Sequence, residues 1–120
     1  MLTRKDRHIS RKEFAIILKR GFSWRIPPFT IRALSRGDRY PSRFGFVVST
    51  KVSKSAVVRN RVRRRLQAII RENRPNINLG LDVVILTNPQ VLLSSYEDMR
   101  SIFTTVLRES GIMNIEKNEK

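Results

Sequence analysis

Residues 59–74 read RNRVRRRLQAIIRENR, and the rest of the chain has to be organised around them. The stretch holds seven of the 25 Lys+Arg and one acid, Glu72. On an α-helix, at about 100° per residue, Val58, Val62, Leu66 and Ile69 form one stripe. Arg64 and Arg71 fall opposite, with Asn60. Arg61, Arg63, Gln67 and Arg74 spread around that polar face, and Arg59 and Arg65 mark the borders of the apolar stripe. A merely solvated helix face usually mixes signs at i,i+4, and here almost no acid offsets the arginines. A guanidinium is planar and bonds phosphate oxygens in pairs. The stretch reads as a helix with one side buried in a core and the other turned to nucleic acid.

Outward from this helix, composition narrows the choices. A length of 120 residues predicts a single domain, 1–120, and the arginine helix makes nucleic acid its expected ligand. The formal net charge of +15 makes nucleic acid the first partner to consider and an anionic membrane surface the second. With no cysteine, disulfides, thiolate zinc sites and thiol catalysis are excluded. One histidine, His8, cannot make a two-histidine acid–base pair. No apolar run approaches the roughly 18 residues of a membrane span, and charges interrupt any signal-peptide core. The expectation is a cytoplasmic protein with no membrane association.

Before the helix, residues 1–9 read as a flexible basic arm. Ser10 and Glu13 form a capping box for a helix over 11–20, with Phe14, Ile17 and Leu18 on one face. Gly21 is expected to close it in the left-handed region. Residues 22–26 are aromatic and β-prone, and Pro27-Pro28 stops any helix. Phe29, Ile31 and Ala33 alternate with Thr30 and Arg32, which predicts a half-buried strand. Residues 35–42 form a polar loop, and 43–49 a second strand. Gly45 within it signals close backbone approach or a bulge. The economical arrangement pairs these two strands antiparallel across the loop. Ser55 is a plausible N-cap for the arginine helix, and Pro75 ends it. Beyond it, Asp82–Leu86 reads as an inner strand. Ser94 or Ser95 caps a last helix carrying Tyr96, Met99, Ile102, Phe103, Val106 and Leu107, with Gly111 at its end. Residues 112–120 complete the chain as a polar tail. The fold class is α+β: a small mixed sheet packed with three helices, with a crossover through the basic helix.

The ten acids are scattered singly, so convergent carboxylates for a two-metal nuclease are missing. No P-loop is present. The chain carries no self-contained active site. Phe44, Phe46 and Phe103 read as core. Phe14 and Trp24 stand beside Lys12 and Arg25, which leaves both core packing and base stacking open to them. Lys51 and Lys54 are either solvated loop lysines or an extension of the helix's phosphate track.

Residues 51–64, KVSKSAVVRNRVRR, follow a strand carrying Arg43-Phe44-Gly45. Together they resemble the signature of the bacterial ribonuclease P protein subunit, R-x-G and then K-V-x-K-A-V-x-R-N-R-[IV]-[KR]-R. Phe14 with Lys19-Arg20-Gly21, Asp82-Val83-Val84-Ile85 and Ser95-Tyr96 are similar to other parts of that family's pattern. The resemblance implies an αβββαβα order, with residues 22–26 as the extra strand and a left-handed crossover. It implies a 1:1 partnership with ribonuclease P RNA, which carries the hydrolytic centre and its Mg2+ ions, none held tightly by the protein. The complex cuts precursor tRNA to leave a mature 5′ end, and the protein contacts the single-stranded 5′ leader. Carried over by residue, Arg59, Asn60, Arg61, Arg63 and Arg64 match the R-N-R helix and Lys51 one of the lysines before it; with Lys54 and Arg71, added from the helix geometry and the basic connector, they are expected to face the catalytic RNA. Phe14, Leu18, Trp24 and Arg32 face the leader. Leu18 and Arg32 depart from the family by standing where aromatics are common, Thr50 replaces a lysine, and Arg65 replaces an aliphatic residue. The alternative from the residues alone is a generic basic RNA-binding or ribosomal-type protein of the same fold group.

Overall fold

The computed structural model describes residues 9–114. The basic arm, Ile9 apart, and the tail beyond Asn114 lie outside them. Elements follow in the order α1 (Arg11–Arg20), β1 (Phe22–Ile26), β2 (Phe29–Ser35), β3 (Arg43–Val47), α2 (Ala56–Asn73), β4 (Leu81–Thr87) and α3 (Tyr96–Glu109). Short 3-10 turns at Arg74–Asn76 and Pro89–Leu93 follow α2 and β4, each with proline in its first two positions.

The helices start where local chemistry dictates. Ser10 Oγ accepts from the Glu13 N–H and the Glu13 carboxylate accepts from the Ser10 N–H, a complete capping box. Ser55 and Ser95 each accept from the N–H three residues on. Gly21 does not adopt the expected left-handed conformation; its φ is −70°. Its small size is needed for another reason. A Cβ there would stand 2.7 Å from the carbonyl oxygens of both Ala33 and Ile17, so α1 ends hard against β2.

The strand order is β1-β2-β4-β3. β1 and β2 pair antiparallel, as do β2 and β4, while β3 and β4 run parallel. The expected β2–β3 hairpin does not form, because β4 lies between the two. Val83, Val84 and Ile85 are wholly buried, and a strand apolar on both faces belongs in the interior of a sheet. β3, with Arg43 and Gly45, takes the edge. The connection 36–42 is long enough to step across one strand, and α2 becomes the crossover between the parallel neighbours β3 and β4.

Register divides the side chains between two faces. Phe29, Ile31, Ala33, Val83 and Ile85 point to the face covered by α2 and α3. There they join Val62, Leu66, Ile69, Ile70, Met99, Phe103, Val106 and Leu107 in the core. The rings of Phe29 and Phe103 meet at 5.1 Å. Ile112 and Met113, assigned to the polar tail from sequence, are buried in this same core. Backbone bonds from Asn78 N–H to the Ile112 carbonyl and from Asn114 N–H to the Asn76 carbonyl fold them back. Two apolar residues cannot stay in water when a half-formed core is in reach, so the tail starts later. The opposite face carries Arg43, Gly45, Asp82, Val84 and Arg32 and is crossed by α1, whose one fully buried residue is Ile17. Among the described residues, no helix is long and apolar enough to cross a membrane.

Candidate nucleic-acid interface

Two surfaces emerge, on opposite sides of the molecule. The first is the outer face of α2. Burial of Val62, Leu66, Ile69 and Ile70 turns Asn60, Arg61, Arg64, Gln67 and Arg71 into solvent. Arg61, Arg64 and Arg71 make no hydrogen bond or ion pair with the described residues. The acid of the segment, Glu72, pairs with Arg100 on α3 instead. Arg63 and Asn60 are joined to each other, side chain to side chain. Arg59, at the border of the stripe, donates to the Ser53 carbonyl at 3.0 Å and staples the connector to the first turn. Buried Val48 and Val52 anchor that connector, leaving Lys51 and Lys54 exposed beside the helix start. On the α3 side, Tyr96 lies between Arg65 and Arg100, whose guanidinium carbons are 5.4 and 5.1 Å from the ring centre. Arg65 therefore packs α2 against α3 in a cation–π contact.

The second surface lies on the α1 face. Phe14 sits over Gly45: a Cβ at Gly45 would stand 3.0 Å from Phe14 Cε2. The approach at this glycine is by an aromatic side chain, not by the backbone expected from the sequence. Leu18, one turn on from Phe14, is partly exposed. The next register row on this face holds Val47, Leu86 and Thr30, all half-buried, and exposed Arg25 at the edge. These residues form a shallow apolar floor beside α1 with a cation at its rim. Arg32 lies in the row beneath α1. Its Nη2 donates to the carbonyls of Leu18 and Gly21, and its Nε is buried. Trp24 is not brought into this group. It pairs in register with Ile31, so it points to the other face of the sheet, where it is 41% exposed at the edge.

Sequence reading missed a partly buried ionic cluster at the base of the sheet. Asp82 accepts from Arg43 Nε and Nη2 at 2.8 and 2.7 Å and from Arg36 Nη1 at 2.6 Å. Arg36 also bonds Asp38, and Arg43 reaches Glu13 at 3.2 Å. Hydrogen bonding to Asp38 raises the pKa of Arg36, and hydrogen bonding to Asp82 raises that of Arg43. The Ser10 N–H, with Arg43 behind it, holds the Glu13 carboxyl below its ordinary range. The one available signal was an aspartate opening an otherwise apolar strand.

A four-stranded mixed sheet, a cationic crossover helix and a half-buried floor beside a capping-box helix define a small basic RNA-binding protein of the α+β class. Residues 2–111 match the family model described as Ribonuclease P. The Ribonuclease P protein component of Synechocystis sp. is 35% identical over 103 residues, covering 86% of this chain and 83% of that protein. That of Clavibacter michiganensis is 35% identical over 112 residues, covering 90% and 98%. The RNase P protein from Thermotoga maritima superposes with a TM-score of 0.75 at 27% identity, covering 82% of this chain and 92% of that one. The Staphylococcus aureus RNase P protein, at 21% identity, shares the fold with a TM-score of 0.81 over 88% of this chain and 94% of that one. The chain belongs to the ribonuclease P protein family, whose members are the protein subunit of the tRNA-processing endoribonuclease.

Proposed function

We propose that the two surfaces divide the subunit's work between two RNAs. The outer face of α2, with Asn60, Arg61, Arg63, Arg64 and Arg71 and with Lys51 and Lys54 at its start, holds ribonuclease P RNA in a 1:1 complex. Arg59 and Arg65 support that face from its borders. The α1 cleft, with Phe14 and Leu18 as wall and Val47, Leu86 and Thr30 as floor, takes the single-stranded 5′ leader of precursor tRNA, and Arg25 meets its phosphates.

The observation that carries this reading is the sorting of the arginines. Those turned inward or sideways (Arg32, Arg36, Arg43, Arg59, Arg65, Arg74) have carbonyl, carboxylate or ring partners. Arg61, Arg64 and Arg71 keep their donors turned to solvent on one helix face. Such a row of unneutralised like charge is favourable only against a polyanion.

Magnesium does not fit the donor set of the described residues. Asp82 is enclosed by two arginines, Glu13 by Ser10 and Arg43, and Glu72 faces Arg100. No three acids or histidines converge among them. In this proposal the ions and the hydrolytic centre belong to the RNA, as the family resemblance implies, and the setting is the cytoplasm. Reconstitution with a bacterial ribonuclease P RNA at low magnesium tests it: the protein should raise cleavage of precursor tRNA, and an unchanged rate would refute the assignment.

A further inference from the structure

We infer that Arg43 and Arg32 clamp the two ends of α1 to the sheet and so set the opening of the leader cleft. The clamp's purpose rests on the proposal that this cleft takes the leader. α1 has little else to hold it. Ile17 alone is fully buried, Phe14 is half-buried, and Ile16 and Leu18 are 44% and 38% exposed. An isolated helix of ten residues is marginal in water, so its position depends on its end contacts.

The ends are held differently. At the N-terminus the capping-box acid Glu13 also bonds the sheet, because its second oxygen accepts from Arg43 Nη2. Arg43 is itself fixed by both oxygens of Asp82, and Asp82 by Arg36. The first turn is thereby tied to β3 and β4 through a chain of charged hydrogen bonds. At the C-terminus the Arg32 guanidinium bonds backbone rather than a carboxylate. It donates to the carbonyl of Leu18 in the last turn, a group that a helix end leaves without an intrahelical partner, and to that of the cap residue Gly21. A cation there also suits the helix dipole. With Gly21 packed on the Ala33 carbonyl, the last turn is pinned to β2. Phe14 and Leu18, the proposed wall of the cleft, lie between the two clamps. Arg32 and Arg43 are positioning residues: neither needs to touch the leader.

The test uses holoenzyme reconstituted with ribonuclease P RNA and two precursor tRNAs, one with a long 5′ leader and one with a single leader nucleotide. Glu13→Gln loosens the first clamp while keeping an acceptor for the capping box, and Arg32→Met removes the second. Each should raise KM for the long-leader substrate about tenfold, the scale of one hydrogen bond to a charged group. KM for the short-leader substrate, and affinity for ribonuclease P RNA, should not change. Arg32→Lys, which keeps a cation at the helix end, should recover part of the loss. Amide exchange should quicken in α1 of both variants and not in α2, which also separates a loosened helix from a protein that fails to fold. If α1 exchange quickens while long-leader KM stays put, or if α1 exchange is unchanged, the clamp is refuted. If the unaltered protein gives equal KM for both substrates, the leader assignment itself falls, and the clamp's proposed purpose with it.

Discussion

Arg43 and Asp82 are register partners at the base of the parallel pair β3–β4, and they are joined twice, Nε to Oδ1 at 2.8 Å and Nη2 to Oδ2 at 2.7 Å. Their side chains are only 10% and 8% exposed. Breaking a buried pair leaves one charge uncompensated, which usually costs about 3–5 kcal/mol. Asp82→Asn should therefore destabilise by about 3 kcal/mol in urea unfolding, since it removes the carboxylate that Arg36 and Arg43 share and leaves them only Asp38 and the more exposed Glu13. A loss below about 1 kcal/mol, the scale of an exposed pair, would mean the cluster is incidental.

The two sides of α2 should respond in opposite ways. Arg64→Ala should leave the unfolding midpoint where it is and weaken RNA binding, with the log–log salt slope shallower by about 0.7–0.9. Val62→Ala should cost roughly 1–3 kcal/mol of stability with RNA affinity retained by the folded fraction. Salt-titrated binding alongside thermal melts separates the two; stability lost at Arg64 would reverse the assignment of faces.

Gly21→Ala probes the junction of α1 and β2. The added methyl meets two backbone carbonyls at 2.7 Å, and backbone cannot swing aside as a side chain can. A cost of about 1–3 kcal/mol is expected from overpacking, read by denaturant titration. A left-handed C-cap would give a comparable loss with Asn partly tolerated; here Gly21→Asn should be no better than alanine.

Acid titration should report on Glu13. Its carboxyl is held below the ordinary value by the Ser10 N–H first and by Arg43 further on. A lowered folded-state pKa contributes stability that is present above the unfolded value and is lost as pH falls through the folded one. The protein should thus lose this contribution only in the acid range, and Glu13→Gln should flatten that part of the stability–pH curve. Equal slopes for the two proteins would contradict the pairing.

What could be read from the chain was what depends on neighbours in sequence. The capping box at Ser10 and Glu13, the stripe of α2 and the cap at Ser55 are all settled by spacings of three or four residues, whereas Ser94 and Ser95 are equally good caps by spacing and the turn before them decides for Ser95. The strand order was not legible, because it follows from competition among strands for the buried centre, won by Val83-Val84-Ile85. The Arg43–Asp82 pair joins residues 39 apart through sheet register, and neither residue signals the other. Trp24 was misplaced for a similar reason: the sequence groups it with Phe14, whereas its pairing with Ile31 turns it to the opposite face.

The sheet, with α2 packed on one side and α1 on the other, lies between the two surfaces, and this leaves a trace in how β2 can vary. Ile31 and Arg32 are adjacent in the chain, yet Ile31 lies in the core shared by the helix proposed to hold the catalytic RNA, and Arg32 fastens the helix beside the proposed substrate cleft. Neighbouring codons thus answer to different molecules. A complete substitution scan of residues 29–35 scored on substrates of different leader length should beat with a period of two: Phe29, Ile31 and Ala33 failing on every substrate, and Thr30 and Arg32 failing only where there is a leader to hold.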